Sequence, residues 1–230
     1  DSSATREMKT FSLLLAIQQR QDEFITMQAP WEPSDELIAN IQNYTMGMLL
    51  SSRLATYKGV VPNNYVAGIL KRYRFDLPAD IERNHGHWSK VIKAIQNEMT
   101  EQRAKIKKTL RAGTDGDDHQ EHLNIFKLTV ELCEGTSCKP SVQLCARVAL
   151  LRKTFLTNPN RDFWDAANKN LAEIRNVAGS NPKKMTKIFS KILVNDRATH
   201  GVTEEGEDSD IQEQVPEWQQ AVDEFVGGQV

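Results

Sequence analysis

Cysteine is scarce in this chain of 230 residues, which contains only Cys133, Cys138 and Cys145. An odd, sparse set in a chain of this length argues against a disulfide framework and for a reducing, intracellular compartment, either nuclear or cytoplasmic. Long hydrophobic runs are lacking as well. The stretch Phe11–Ile17 is far shorter than the ~18–20 residues of a membrane span, and no small-residue cleavage site follows it. We therefore expect a core-facing helical segment at this position, and no signal peptide.

Known catalytic signatures are missing too. The sequence has no phosphate-binding Walker loop, no dinucleotide-binding glycine fingerprint, no G-x-S-x-G elbow and no H-E-x-x-H zinc motif. The sequence therefore predicts no catalytic residue and no cofactor, and an α-helical enzyme is the third of three functional hypotheses.

No useful stretch alternates polar and apolar residues with a period of two, whereas helical spacing recurs along the chain. The fold class predicted is all-α, a multi-helix bundle with an acidic C-terminal tail. Ser34 and Ser141 are placed to cap helices, and Pro182 to occupy a first helical turn. Predicted helices cover residues 5–28, 34–49, 63–75, 85–110, 119–133, 141–156, 161–178 and 182–200.

The loop composition of Ala112–Asp118 suggests a boundary between two helical halves. The predicted regions are an N-terminal helical region at 1–111, a C-terminal helical region at 119–201 and an acidic tail at 202–230. A single continuous bundle is an equally good interpretation of the same pattern.

Charge is sorted into blocks along the chain. Residues 71–111 hold eleven Lys and Arg against five Asp and Glu, and residues 139–200 hold twelve against four. Residues 201–230 hold nine acids and no base. Two basic helical blocks and an acidic tail predict a polyanion-binding body with a competing anionic arm.

The predicted phosphate contacts are the basic side chains of three segments. They are Lys71, Arg72, Arg74, Lys90, Lys93, Arg103, Lys105, Lys107, Lys108, Arg111, Lys183, Lys184, Lys187 and Lys191. For the helix that starts at Pro182, lysines beside free backbone N–H groups suggest a phosphate clamp. The alternatives are a merely solvated helix face, or pairing of these lysines with Asp162, Asp165 or the tail.

A metal site is a further alternative, because His119, His122, Cys133 and Cys138 have roughly the spacing of zinc ligands. Cys133 and Cys138 have four intervening residues, Gly135 among them, and could approach each other, but an acidic turn at a helix start explains the histidines. The sequence therefore predicts no metal ligand, but leaves the question open.

The tail contains a short segment, Pro216–Val226, whose Trp218, Val222 and Phe225 would lie on one side of a helix. Two functional interpretations compete with a solvated terminus. The tail could screen the chain's own basic face, or these three side chains could dock in a groove of a protein partner.

Residues 141–200 form a predicted three-helix unit with a basic third helix, a layout that resembles helix-turn-helix and Myb/SANT-like modules. The regularly spaced tryptophans of Myb repeats are missing, since Trp164 stands alone. The segments VQLCARVALLRKTF, FWDAANKNLAEIR and KIFSKILVNDRATHG also resemble a group of uncharacterised, lineage-expanded helical proteins of mushroom-forming fungi. That resemblance covers about a quarter of the chain and implies a fungal, intracellular context.

The first functional hypothesis is therefore a helical nucleic-acid-binding protein, DNA being favoured over RNA, with a nuclear, transcription- or chromatin-linked role and a regulatory acidic tail. The second is a helical protein-interaction or assembly module without nucleic-acid binding. No membrane partner is predicted.

Overall fold

The computed structural model describes residues 2–27, 31–114, 122–179, 181–201 and 215–228. Within these ranges the chain is all-α, with no strand, as predicted. The helices are α1 Ser3–Met27, α2 Asp35–Leu50, α3 Val60–Tyr73, α4 His85–Ala112, α5 Ile125–Cys133, α6 Val142–Thr157, α7 Phe163–Ala178, α8 Pro182–His200 and α9 Glu217–Gly227. A 3₁₀ turn at Ile81–Arg83 precedes α4.

Side chains cap most of these helices where the sequence suggests it. The Ser34 hydroxyl accepts a hydrogen bond from Leu37 N at 3.1 Å, and the Ser141 hydroxyl accepts one from Leu144 N at 3.2 Å. Both bonds satisfy backbone donors that the first helical turn leaves open. Pro182 occupies the first turn of α8, where its missing N–H costs nothing.

Helix α3 differs from its predicted span of 63–75. It begins directly after Gly59, and Pro62 lies inside the first turn, where proline is tolerated. It ends at Tyr73 because Arg74 and Phe75 adopt positive φ angles of 64° and 42°.

The chain divides into two compact units, Asp1–Glu32 and Pro33–Val230. The first unit contains α1, whose side chains between Met8 and Ile17 remain exposed, from 47% at Ile17 to 69% at Met8. The prediction that Phe11–Ile17 faces a core is therefore wrong for the described residues. The physical reason is that α1 is the only helix described in its unit, so its apolar side chains have no other helix of that unit to pack against.

The second unit is a bundle around α6. Helices α2, α4, α5, α7 and α8 all pack against it, and every residue from Leu144 to Arg152 is buried. The predicted boundary at Ala112–Asp118 lies partly outside the described residues. Helices from both sides of it, α4 and α5, nevertheless pack against each other and against α6.

The C-terminal helix α9 packs against α2 and α3. Val222 and Val226 are almost fully buried, and the Trp218 ring meets the Tyr44 ring edge-on at 5.5 Å. Two glycines make room for the large rings. A Cβ atom at Gly47 would lie 2.8 Å from Trp218 Cζ3, and one at Gly68 would lie 2.6 Å from Phe225 Cζ.

In the described ranges no helix combines the length and the apolar character that crossing a membrane requires.

Candidate nucleic-acid interface

Several of the predicted phosphate-binding side chains are used inside the protein. Arg74 pairs with Glu82 and donates to the carbonyl of Pro78. Arg103 donates to the carbonyl oxygens of Met99 and Tyr57, both at 3.0 Å. These two guanidinium groups hold loops and helix ends in place.

Four further cations of the set also have partners within the chain. The Lys105 ammonium donates to the carbonyl of Glu134, and Lys107 donates to that of Asn160 at 2.5 Å. Lys71 lies 4.8 Å above the Trp88 ring, and Arg72 lies 5.6 Å from the ring of its neighbour Tyr73. Cation–π contacts of this kind hold a cation in place but leave it free to attract a phosphate.

The remaining exposed cations of α4 are Lys93, Lys108 and Arg111. Lys93 and Lys108 are about 22 Å apart along the helix axis at 1.5 Å per residue. Arg111 follows Lys108 by one turn and approaches the Phe155 ring at 6.0 Å. This helix therefore presents one isolated lysine and one exposed basic pair near its C-terminal end.

Helix α8 carries the densest exposed cluster of predicted cations. Lys183, Lys184, Lys187 and Lys191 are all exposed. They lie opposite the face formed by Leu193, Asp196 and His200, which is buried. None of the four forms an ion pair with a described residue, Asp162 included, and Asp165 pairs with Lys58 instead. We call these four residues the α8 lysine face.

The helix start itself is not the free phosphate clamp that the sequence suggests. The Asn181 side chain accepts hydrogen bonds from Lys183 N at 3.0 Å and Lys184 N at 3.2 Å, and Pro182 has no N–H to offer. The amide cap satisfies the donors that a phosphate would need. What the helix start presents to an anion is its ammonium groups.

Helices α4 and α8 both pack against α5 and α6, but not closely against each other. The four exposed lysines of α8 are therefore taken as the candidate interface, separate from the exposed cations of α4. Mutual packing of α6, α7 and α8 does agree with the predicted three-helix unit.

The predicted partner-binding side chains Trp218, Val222 and Phe225 contact the chain's own helices α2 and α3. Two polar contacts hold the same helix. Ser51 donates to the Asp223 carboxylate, and the Gln219 side-chain amide pairs with the backbone N–H and C=O of Lys139 at 3.0 and 3.1 Å. Burial raises the pKa of Asp223, and the Ser51 hydroxyl opposes that rise. A partner could use this apolar face only after α9 had left α2 and α3.

His122 and Cys133, two of the residues considered for a metal site, do not meet. His122 pairs with His200, their Nδ1 atoms 3.0 Å apart, while Cys133 lies at the far end of α5. His119 lies outside the described residues. No three metal-ligating side chains converge in the part of the chain that the structure describes.

The three cysteines are buried free thiols. Burial raises the pKa of Cys133 to about 12 and that of Cys138 to about 11. Both thiols therefore keep their protons at neutral pH, which makes them poor nucleophiles.

Two arginines that sequence reasoning counted as part of a basic block are core residues. Arg147 is 1% exposed and Arg152 is fully buried. Arg152 forms an ion pair with Asp196, in which its Nε lies 2.9 Å from Oδ2. The signal that could have identified them is their position within the apolar run Leu144–Leu151 and directly after it, since a helix that is apolar all round is buried.

Comparison with known proteins gives no match: no family model, no curated protein and no solved structure resembles the chain significantly.

Proposed function

We propose that this protein binds the phosphate backbone of nucleic acid, with duplex DNA as the preferred ligand, through the α8 lysine face. The observation that supports it is a row of four exposed lysines without an intramolecular ion pair in the described chain. Lys184, Lys187 and Lys191 follow the i, i+3, i+7 spacing of one helix stripe. The proposal keeps the nuclear, transcription- or chromatin-linked role predicted from the sequence.

Binding of this kind is electrostatic and independent of base sequence. Each lysine that neutralises a phosphate releases condensed counterions, so the logarithm of the affinity falls linearly with the logarithm of the salt concentration. Four contacts predict a slope of about −3.6. Charge repulsion among the lysines, which lie within about 12 Å along the helix, is relieved when phosphates lie between them.

The test is fluorescence anisotropy of a labelled 20-base-pair duplex, measured between 50 and 200 mM salt. Lys187→Gln with Lys191→Gln should weaken binding to all sequences alike and make the slope less steep by about 2. Lys58→Gln, compared with Lys187→Gln alone, is the control matched in charge, since it removes a lysine that already pairs with Asp165 at 2.7 Å. Equal losses in these two single variants, or no binding at 50 mM salt, would contradict the proposal.

A protein-interaction module is the second candidate, and α1 is the observation that favours it. Its exposed apolar side chains, Phe11 and Leu14 among them, are of the kind that binds a protein surface. Sedimentation velocity on the same samples without DNA separates the two functions. A sedimentation coefficient that rises with protein concentration, in a sample that does not bind the duplex, favours the second.

A further inference from the structure

Three arginines from three helices hold the loop between α2 and α3 by its carbonyl oxygens. Arg147 Nη2, from α6, donates to the carbonyls of Ser52 and Leu54 at 2.6 and 3.1 Å. Arg175, from α7, donates to Leu54 O at 2.8 Å and to Ala55 O at 2.9 Å. Arg103, from α4, donates to Tyr57 O. Four carbonyl groups of one loop thus face cationic side chains.

Two of these cations are very close to each other. Arg147 Nη2 and Arg175 Nη2 share the Leu54 carbonyl, so the two nitrogens lie at most 5.9 Å apart, the sum of the two bond lengths. Burial lowers the pKa of Arg175, and the positive charge of Arg147 lowers it further. No carboxylate of the described chain forms an ion pair with either guanidinium. The Asp223 carboxylate, which lies near Arg147, accepts a hydrogen bond from the Ser51 hydroxyl instead.

The buried guanidinium of Arg147 also has donors to spare. A guanidinium carries five N–H groups, and the two on Nη2 serve the loop carbonyls. The remaining three, on Nε and Nη1, have no hydrogen-bond partner although both nitrogens are buried. The fully buried hydroxyl of Tyr57 lies beside this guanidinium but forms no well-aligned hydrogen bond. Unsatisfied donors beside a buried charge destabilise the native state unless an acceptor is bound there.

The Tyr57 hydroxyl belongs to the same centre. Burial raises the pKa of Tyr57, and the positive charge of Arg147 is the largest effect that opposes this rise, so the two groups are neighbours. The phenol therefore keeps its proton at neutral pH and acts as a donor. Phe189 of α8 covers the guanidinium from outside, its ring centre 5.1 Å from Arg147 Cζ. The arrangement is a covered, positively charged cluster in which Arg147 Nε and Nη1 have no well-aligned acceptor among the described residues.

We propose that Arg147, Arg175 and Tyr57 form a binding site for a small oxyanion of the phosphate or sulfate type. Oxygens of such an anion would accept from Arg147 Nε and Nη1 and from the Tyr57 hydroxyl, and its charge would offset the two adjacent guanidinium groups. The site is separate from the α8 lysine face, whose side chains point away from α6. Bound anion would fix the α2–α3 loop against α6 and α7.

The experiment uses the whole chain with inorganic phosphate as the probe, at constant ionic strength adjusted with chloride. Isothermal titration should show one bound phosphate, and Tm should rise with phosphate concentration as expected for a ligand of the native state. Tyr57→Phe removes one donor to the anion and should weaken phosphate binding about tenfold. Arg147→Gln should abolish binding.

Tyr57→Phe keeps the proposal testable even if Arg147→Gln does not fold, because it leaves the ring packing intact. The variant with Gln at all four positions of the α8 lysine face should bind phosphate as the wild type does. The proposal is overturned if the wild type shows no saturable binding, as expected when buried water satisfies the donors. It is also overturned if Tyr57→Phe binds phosphate as tightly as the wild type, or if the α8 variant loses the site.

Discussion

At the scale of single residues, burial decides what a charge contributes to this protein. Arg152 and Asp196 form an ion pair inside the bundle, and Arg152 donates in addition to the carbonyl of Leu123. Lys58 and Asp165 form a comparable pair at the surface, where both side chains are about half exposed. Removal of one partner leaves an uncompensated charge in the first case and a hydrated one in the second.

We therefore expect Asp196→Asn to lower the free energy of unfolding by about 3–5 kcal/mol, because Arg152 is left charged and buried. Asp165→Asn, the same chemical change at the surface pair, should cost less than about 1 kcal/mol. Urea denaturation of both variants measures the difference. Similar losses in the two variants would show that the buried pair contributes no more to the free energy of unfolding than the surface pair does.

At the scale of helices, the packing of α9 against α2 and α3 depends on two glycines. The Trp218 ring lies over Gly47 of α2, and the Phe225 ring lies over Gly68 of α3. An added methyl group at either position would overlap the ring, so the ring and its helix must move.

Gly47→Ala and Gly68→Ala should each cost about 1–3 kcal/mol, the usual penalty for overpacking a close contact. Gly86→Ala in the first turn of α4 is the control, since its Cβ would meet only Asn84 Oδ1 at an ordinary 3.5 Å. That change should be neutral or stabilising by up to about 1 kcal/mol. Urea denaturation again gives the values.

A double-mutant cycle tests the stated cause. If the overlap with the Trp218 ring is what destabilises Gly47→Ala, the substitution should cost little in a chain that already carries Trp218→Ala. Additive losses would instead place the effect of Gly47→Ala within α2 itself.

The helices themselves could be predicted from the sequence, and their environment could not. Ser34, Ser141 and Pro182 mark helix starts by chemistry that operates within one turn, so local pattern was sufficient. The burial of Arg147 depends on five other helices surrounding α6, which no window of neighbouring residues contains. The exposure of Phe11–Ile17 could not be predicted for the same reason, because an apolar run in the sequence does not show whether another helix packs against it.

For the molecule as a whole, fewer basic side chains are exposed and unpaired than the charge blocks of the sequence predict. Two arginines of the second block lie in the core, and most cations of the first block have partners within the chain. The exposed positive charge that remains concentrated is on α8. The acidic stretch Glu204–Asp210 follows that helix within four residues of its end. Opposite charges tethered this closely compete with an external polyanion for the lysines.

Neutralising part of this stretch tests that competition without disturbing α9, which deletion of the whole tail would remove from α2 and α3. Replacing Glu204, Glu205 and Glu207 by Gln should increase duplex affinity several-fold at 50 mM salt. The gain should shrink at 200 mM, because the screening length falls below about 10 Å. The matched control changes net charge equally, with Gln replacing three exposed acids of the bundle, Glu36, Glu101 and Glu173. A change in net charge acts over the whole surface, whereas the tethered acids act only near α8. If tethered competition operates, the tail variant should gain more duplex affinity than the control. Equal gains in the two variants would show that the tail acts only through its net charge.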